Sequence, residues 1–376
     1  MSIRVATILF GGTPIWSGHA RGADILTHFR ATFEASLRSD ENCPALLVLD
    51  LDLKNAFPSL EWDAIRDAVH QFLPKFDKWV AWCHQKGSLM FPNGKTTEVD
   101  RGAEEGDPLG PLFCGLVLAG VRRRVSERMR NEAPDVQYHD VWYMDDGQVF
   151  ITPSGADVYL RLLDEELARV GANRGCKSNG DEIKSIARLV GHPESVRENR
   201  IEWLTNYVQD TCRILEPNSV VQVLGIDVVA SNSISNQFEE VSESVRELQD
   251  LITSIGDVGT ELVLIRRCAD VCKITHLLRA FGPYIDRNCL ERFDQHLDIA
   301  INTLLSGPIG ANAAGQAHLG VAVGGLGLRR AIDLAFPAFI AARVSTHPFL
   351  SHLGKSLVDV GSKELRPGGS GPYWYC

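Results

Sequence analysis

The chain has 376 residues, with 48 acidic against 38 basic side chains and a formal net charge of −10. Its ordinary apolar and charged fractions exclude a disordered chain, and no apolar run reaches the ~18–20 residues of a helical membrane span. The acidity is evidence against nucleic-acid binding, which usually calls for a basic surface.

The N-terminus lacks the basic, apolar and small-residue succession of a secretory signal. Nine cysteines, an odd number without paired spacing, read as reduced thiols of an intracellular protein. Cys268 and Cys272 would share a helix face, but no second Cys or His pair completes a zinc set.

Residues 1–20 are rich in Gly and Thr, with little periodicity. From His19 to Leu37, Ile25, Leu26, Phe29, Phe33 and Leu37 fall on one helical stripe. Ala45 to Leu49 reads as a buried strand running into Asp50-Leu51-Asp52. Side chains two apart share a strand face, so Asp50 and Asp52 emerge on one side while Leu51 packs on the other. Pro58-Ser59 then opens an amphipathic helix with Leu60, Ala64, Ile65, Ala68, Val69 and Phe72 as its stripe.

A strand-rich stretch from Ser88 to Val99 turns at Pro92-Asn93-Gly94. The Gly/Pro-punctuated loop from Arg101 to Pro111 follows and feeds a helix whose buried side is Leu112, Leu116, Val117 and Val121. Val141-Trp142-Tyr143-Met144-Asp145-Asp146-Gly147-Gln148-Val149-Phe150-Ile151 reads as a β-hairpin with a two-residue Asp-Asp turn. Adjacent carboxylates repel unless a cation sits between them and a third group, so the pair marks either a metal site or a solvated turn.

Tyr159, Leu162, Leu163, Leu167 and Val170 line a helix ending at Gly171. Residues 183–230 read as short strands with turns, Val220 to Ile226 being the strongest. From 238 onward the pattern is helical, over 238–254, 260–281, 286–305 and 330–345, interrupted by the Gly-rich turn Val323 to Leu328. Residues 351–376 read as a disordered tail. Two basic clusters, Arg122-Arg123-Arg124 with Arg128 and Arg130, and Arg266-Arg267 with Lys273 and Arg279, suit solvated helix faces or phosphate contacts alike.

Three segments in order carry a resemblance. They are Leu47 to Phe57 (Leu-Val-Leu-Asp-Leu-Asp-Leu-Lys-Asn-Ala-Phe), Arg101-Gly102 through Gly106-Asp107-Pro108-Leu109-Gly110-Pro111-Leu112-Phe113, and Tyr143-Met144-Asp145-Asp146. Weaker matches follow at Gly171 to Lys177-Ser178, at Leu224-Gly225, and at Gly324 to Leu328. With these motifs spread over most of its length, the chain resembles the reverse transcriptase domain of non-LTR (LINE-like) retrotransposons.

The resemblance implies an α+β fold, the right-hand polymerase: partial fingers (1–44), a palm of antiparallel sheet and packed helices (45–235) and a helical thumb (236–350). It implies two Mg²⁺ ions held by Asp52, Asp145 and Asp146, and an RNA template, a DNA primer and dNTPs as partners. Asp52 is preferred to Asp50 because Phe57 stands five residues beyond it, where the family places an aromatic that selects deoxynucleotides. Lys177 matches a lysine near the triphosphate, a proton donor to pyrophosphate, or is a plain loop lysine. Glu105, Gly106, Asp107 and Tyr143 would line the nucleotide, and Arg101, Leu224, Gly225, Arg266, Arg267 and Lys273 the nucleic acid. Location would be intracellular, in the nucleus.

Two features depart from the family. Glu105 stands where the family has Gln, so Glu105→Gln should raise primer extension. Only about fifty residues precede Asp52, fewer than complete fingers need, which reads as N-terminal truncation. A catalytically silent remnant that binds nucleic acid, an RNA-templated RNA polymerase, and a coincidental hairpin are the competing readings.

Overall fold

The computed structural model describes residues 6–10, 13–17, 22–41, 43–85, 87–103, 109–198, 204–228 and 231–361. The fold is α+β and divides into two units. One comprises residues 1–22, 32–217 and 351–376, and the other residues 23–31 and 218–350. Among the described residues, no helix is long and apolar enough to cross a membrane.

The first unit opens with β1 (Ala6–Phe10), β2 (Thr13–Ser17) and α1 (Gly22–Ser39), whose first turns belong to the second unit. β3 (Leu46–Asp52) follows, then α2 (Ala56–Ser59), α3 (Trp62–Phe72), α4 (Asp77–Cys83) and the hairpin β4 (Gly87–Met90) with β5 (Thr96–Val99). The long α5 (Gly110–Glu132) leads into β6 (Tyr138–Tyr143), β7 (Asp146–Ile151) and α6 (Ala156–Ala168). β8 (Ile186–Val190), α7 (Pro193–Glu198), α8 (Asn206–Thr211) and β9 (Arg213–Leu215) complete it.

Seven strands form one sheet in the order β2-β1-β6-β7-β3-β8-β9, antiparallel throughout except for β8 with β9. β3 is central, and Leu46 to Leu49 are buried on both faces. A strand covered on both sides needs the continuous apolar run that this sequence supplies. Beyond it only Leu51 is buried, which leaves Asp50 and Asp52 on the opposite, wetter face. The sheet, α3, α5 and α6 share one apolar core. The unit is thus a largely antiparallel sheet with helices packed against it.

Several expectations are corrected here. Pro58-Ser59 does not open the amphipathic helix: α2 is a single turn, Leu60 is extended, and α3 starts at Trp62. The break arises because the Leu60 carbonyl accepts from Gly102 N at 2.7 Å and the Glu61 amide donates to Val170 O at 3.0 Å, bonds a continuous helix would forbid. Instead of one buried side, α5 is buried all round from Phe113 to Arg122. Residues 183–230 include the helices α7 and α8 beside the expected strands.

Three arginines of the α5 cluster are spent on internal ion pairs, while Arg123 pairs with the exposed Glu127 and Arg130 donates to Ser126 O. Arg122 is buried against Asp140, and Arg124, Arg128 and Arg169 converge on the buried Glu166.

The second unit begins with the hairpin β10 (Val221–Val223) and β11 (Ile226–Val228), followed by α9 (Ser231–Ile252). After it come α10 (Val258–Cys268), α11 (Thr275–Phe281), α12 (Arg287–Leu304), α13 (Ala311–Ala317) and α14 (Ala331–Gly361), the last belonging to this unit as far as residue 350, around a separate core. The single helix expected over 260–281 is broken after Cys268. Buried Asp270 caps the Cys272 amide at 2.8 Å, and Gln249 Nε2 donates to Ala269 O at 2.7 Å. Cys268 and Cys272 therefore do not share a helix face. α14 continues to Gly361, so residues 351–361 of the expected disordered tail are helical; residues 362–376 lie outside the described part.

Candidate active site

Strand register brings the sequence-predicted acids together. β3 and β7 pair antiparallel with Asp52 directly opposite Asp146, and Leu51 opposite Gly147. Directly opposed residues on antiparallel strands have Cβ atoms about 4.5–5.5 Å apart. β6 and β7 close a hairpin in which Tyr143 faces Asp146. The turn is therefore Met144-Asp145, with Met144 at φ 56°, and Asp146 is the first residue of β7. That corrects the expected Asp-Asp turn by one position.

Packing explains the shift. A Cβ on Gly147 would lie 2.7 Å from the Trp142 indole, its cross-strand partner, so the ring needs a glycine there. Trp142 Nε1 donates to Asp140 Oδ2 at 3.1 Å, and Arg122 from α5 grips the same carboxylate. Cross-strand packing, rather than the turn preference of Asp, sets the register.

The site is short of positive charge. Burial pushes the Asp146 carboxyl up to about 6, and the charges of Asp145, Asp52 and Asp50 add to the effect. Burial likewise raises the Asp52 carboxyl, Lys184 draws it back, and Asp145 raises it again. Burial and Asp146 raise the Tyr143 hydroxyl. Beneath the turn, burial and then Asp145 push the Cys114 thiol of α5 up to about 12. Among the described residues, no three Asp, Glu, His or Cys side chains are gathered tightly enough to hold a metal ion as the chain stands.

Neighbouring segments are zipped to the end of β3. The Asp52 amide donates to the buried Ser185 hydroxyl at 3.3 Å, and the Lys54 amide donates to Asn173 O at 2.8 Å. Phe57 on α2 is half-buried against the core, and its carbonyl accepts from Ala103 N at 2.8 Å. Gly102, at φ 87°, leaves no room for a Cβ beside the Pro58 backbone, 2.7 Å away. Arg101 is exposed and reaches Glu61 and Asp100. Glu105, Gly106 and Asp107 lie outside the described residues.

Among the described residues, Lys177 makes no hydrogen bond or ion pair with the acids. Its Nζ donates to Gln209 O at 2.5 Å, in a loop where Ser178 binds Asp210. The lysine whose charge reaches Asp52 is Lys184, which sequence reasoning missed. Nothing in the polar run Asp181-Glu182-Ile183-Lys184 announces it, because only the pairing of β8 with β3 carries it there. Ser185 was missed for the same reason.

No protein-family model matches this sequence, and no curated protein does. Solved structures do. The chain is similar to telomerase from Candida tropicalis in complex with the TWJ fragment of telomeric RNA, at 12% identity and a TM-score of 0.36, over 90% of this chain and 52% of that one. It is similar to apo telomerase from Candida tropicalis at 14% identity and a TM-score of 0.35, over 90% of this chain and 55% of that one. A third, telomerase from Candida albicans in complex with the same kind of RNA fragment, matches at 11% identity and a TM-score of 0.35, over 75% and 49%. The chain spans about half the length of these three structures.

The remaining predicted residues lie in the second unit. Leu224 and Gly225 form the β10–β11 turn, both at positive φ (51° and 77°), braced by Gln237 Nε2 on Gly225 O at 2.9 Å. Arg266 and Arg267 end α10, and Lys273 lies in the break that follows. These three make no ion pair among the described residues, whereas Arg279 is held by Asp24 at 2.5 Å.

Proposed function

We propose that the chain carries an RNA-directed DNA polymerase site, with Asp52, Asp145 and Asp146 as the ligands of two Mg²⁺ ions. The observation that carries this reading is the register: a strand-end Asp opposite the second of two hairpin carboxylates. The donor set fits the metal, since hard carboxylate oxygens without His or Cys suit Mg²⁺. Burial raises Asp146 and Asp52 and neighbouring carboxylates add to it, and a divalent cation would favour the ionised form of both. The chemistry such an ion pair supplies when bound is stabilisation of the attacking and departing oxygens of an in-line phosphoryl transfer.

The chain's own residues do the positioning. Paired β3 and β7 hold Asp52 and Asp146 on rigid backbone, and Ser185 fixes the Asp52 amide. Lys184 favours the ionised Asp52. We assign Phe57 to sugar selection and Arg101, Leu224, Gly225, Arg266, Arg267 and Lys273 to primer and template. An origin in a non-LTR retroelement and a nuclear place of work belong to the same proposal.

Templated dTTP incorporation on a homopolymer RNA with a DNA primer tests it, against an Asp145→Asn control. Metal-dependent incorporation that the variant abolishes supports the reading; equal signals from both sink it. The engagement of Lys177 with Gln209 favours a second reading, a silent remnant that binds nucleic acid, and that remnant would bind primed template without extending it.

A further inference from the structure

Away from the acids, the first unit carries an exposed surface that the polymerase reading does not use. α4 is anchored by Val80, which is fully buried, and by Trp79 against Phe113 with ring centroids 6.5 Å apart. At 100° per residue, Lys78 and Trp82 point away from Val80, and Trp79 lies at the flank between the two sides. Trp82 is 70% exposed and Trp79 41%. Lys75 and Phe76, in the 3₁₀ turn just before α4, are exposed as well. The β4–β5 hairpin begins within about 14 Å of the end of α4, the reach of four extended residues. It continues the composition with Met90 at 76% exposure, Phe91 at 50%, and Lys95.

The charge here contrasts with α5. There Arg122, Arg124 and Arg128 are consumed by Asp140 and Glu166. Lys75, Lys78 and Lys95 make no ion pair among the described residues, and the one acid of α4, Asp77, is held by His70 at 2.6 Å. In a chain of net charge −10, these lysines stand beside the exposed indole of Trp82 and the half-exposed one of Trp79. Protein–protein interfaces take up aromatics but are depleted in lysine. Single-stranded nucleic-acid sites interleave the two, with bases stacking on rings and ammonium groups following the phosphates.

We infer that the α4 face, with Trp79 and Trp82 as stacking rings and Lys75 and Lys78 as phosphate contacts, binds single-stranded nucleic acid. The inference stands apart from the acidic site and does not require it to be active. The test is fluorescence anisotropy of labelled oligo-U and oligo-dT, and of a duplex of the same length, with the whole chain across a salt series. The expected result is a preference for single strands that Trp82→Ala weakens about tenfold. Lys75→Glu with Lys78→Glu should lower the slope of log affinity against log salt by about 1.4.

Trp82 is exposed enough for its removal to spare the fold. Should Trp82→Ala fail to fold, the lysine variant alone decides by the salt slope. Wild-type affinity in both variants would overturn the inference. So would a wild-type chain that ignores oligonucleotides but self-associates through Trp82 in sedimentation.

Discussion

Arg122 on α5 holds Asp140 on β6 by three hydrogen bonds, Nε to Oδ2 at 2.5 Å, Nη2 to Oδ1 at 2.9 Å and Nη2 to the backbone carbonyl at 3.0 Å. Both side chains are withdrawn from water. Burial alone would raise the Asp140 carboxyl, yet Arg122 outweighs it and holds it below its ordinary value. The pair ties the hairpin that carries Asp145 and Asp146 to the helix beneath it.

Removing one partner of a buried pair strands the other, at a cost of about 3–5 kcal/mol. Arg122→Ala should therefore lower the urea midpoint strongly and lose templated incorporation together with stability. A paired Arg122→Met, Asp140→Leu chain should recover much of the stability. A midpoint within error of the wild type in Arg122→Ala would contradict the role given to the pair.

Gly147 and Trp142 give a second prediction. Because a Cβ at 147 would meet the indole at 2.7 Å, Gly147→Ala should cost about 1–3 kcal/mol by overpacking. Combining it with Trp142→Leu should cost less than the sum of the two single changes, a coupling that a double-mutant cycle reads directly. Strict additivity would mean that the ring does not set the register.

The two lysines can be told apart. Lys184 acts on Asp52, while Lys177 is engaged with Gln209 O. Lys184→Gln should lower dTTP incorporation about tenfold, equivalent to ~1.4 kcal/mol, and Lys177→Gln should leave it within a factor of two. The reverse order would restore the sequence-based assignment of Lys177.

His28 supplies a pH dependence in the second unit. Burial lowers its imidazole to about 4, Arg343 adding to the effect, and Nε2 has no hydrogen-bond partner among the described residues. The unfolded chain, with an ordinary value near 6.5, takes up the proton first. Stability from this residue is thus full above about pH 6.5 and is lost as pH falls toward 4, by about 3 kcal/mol in total. Urea midpoints at pH 7 and pH 4.5 should differ less in His28→Gln than in the wild type. Equal differences would refute the assignment.

Much of the first unit was legible in the sequence because its signals are local. The apolar run into Asp50-Leu51-Asp52 specifies both a buried strand and the face on which two acids emerge, and the structure has both. The hairpin was legible, but its turn was placed one residue late, since Asp is a good turn residue and nothing local reveals that Trp142 needs Gly147 opposite it. The arginines of α5 look like a surface from sequence alone. Their acids, Asp140 and Glu166, lie 18 and 42 residues from Arg122 and Arg124, and only tertiary packing brings them in. Lys184 was invisible for the same reason.

Divalent-cation binding followed by the free Mn²⁺ paramagnetic signal tests the central claim most directly, with Mn²⁺ standing in for Mg²⁺. The wild type should take up the ion with competition from Mg²⁺, and Asp52→Asn and Asp146→Asn should each weaken uptake at least tenfold, although the two acids are far apart in the chain. Uptake unchanged in both variants would contradict the claim that these acids share a metal.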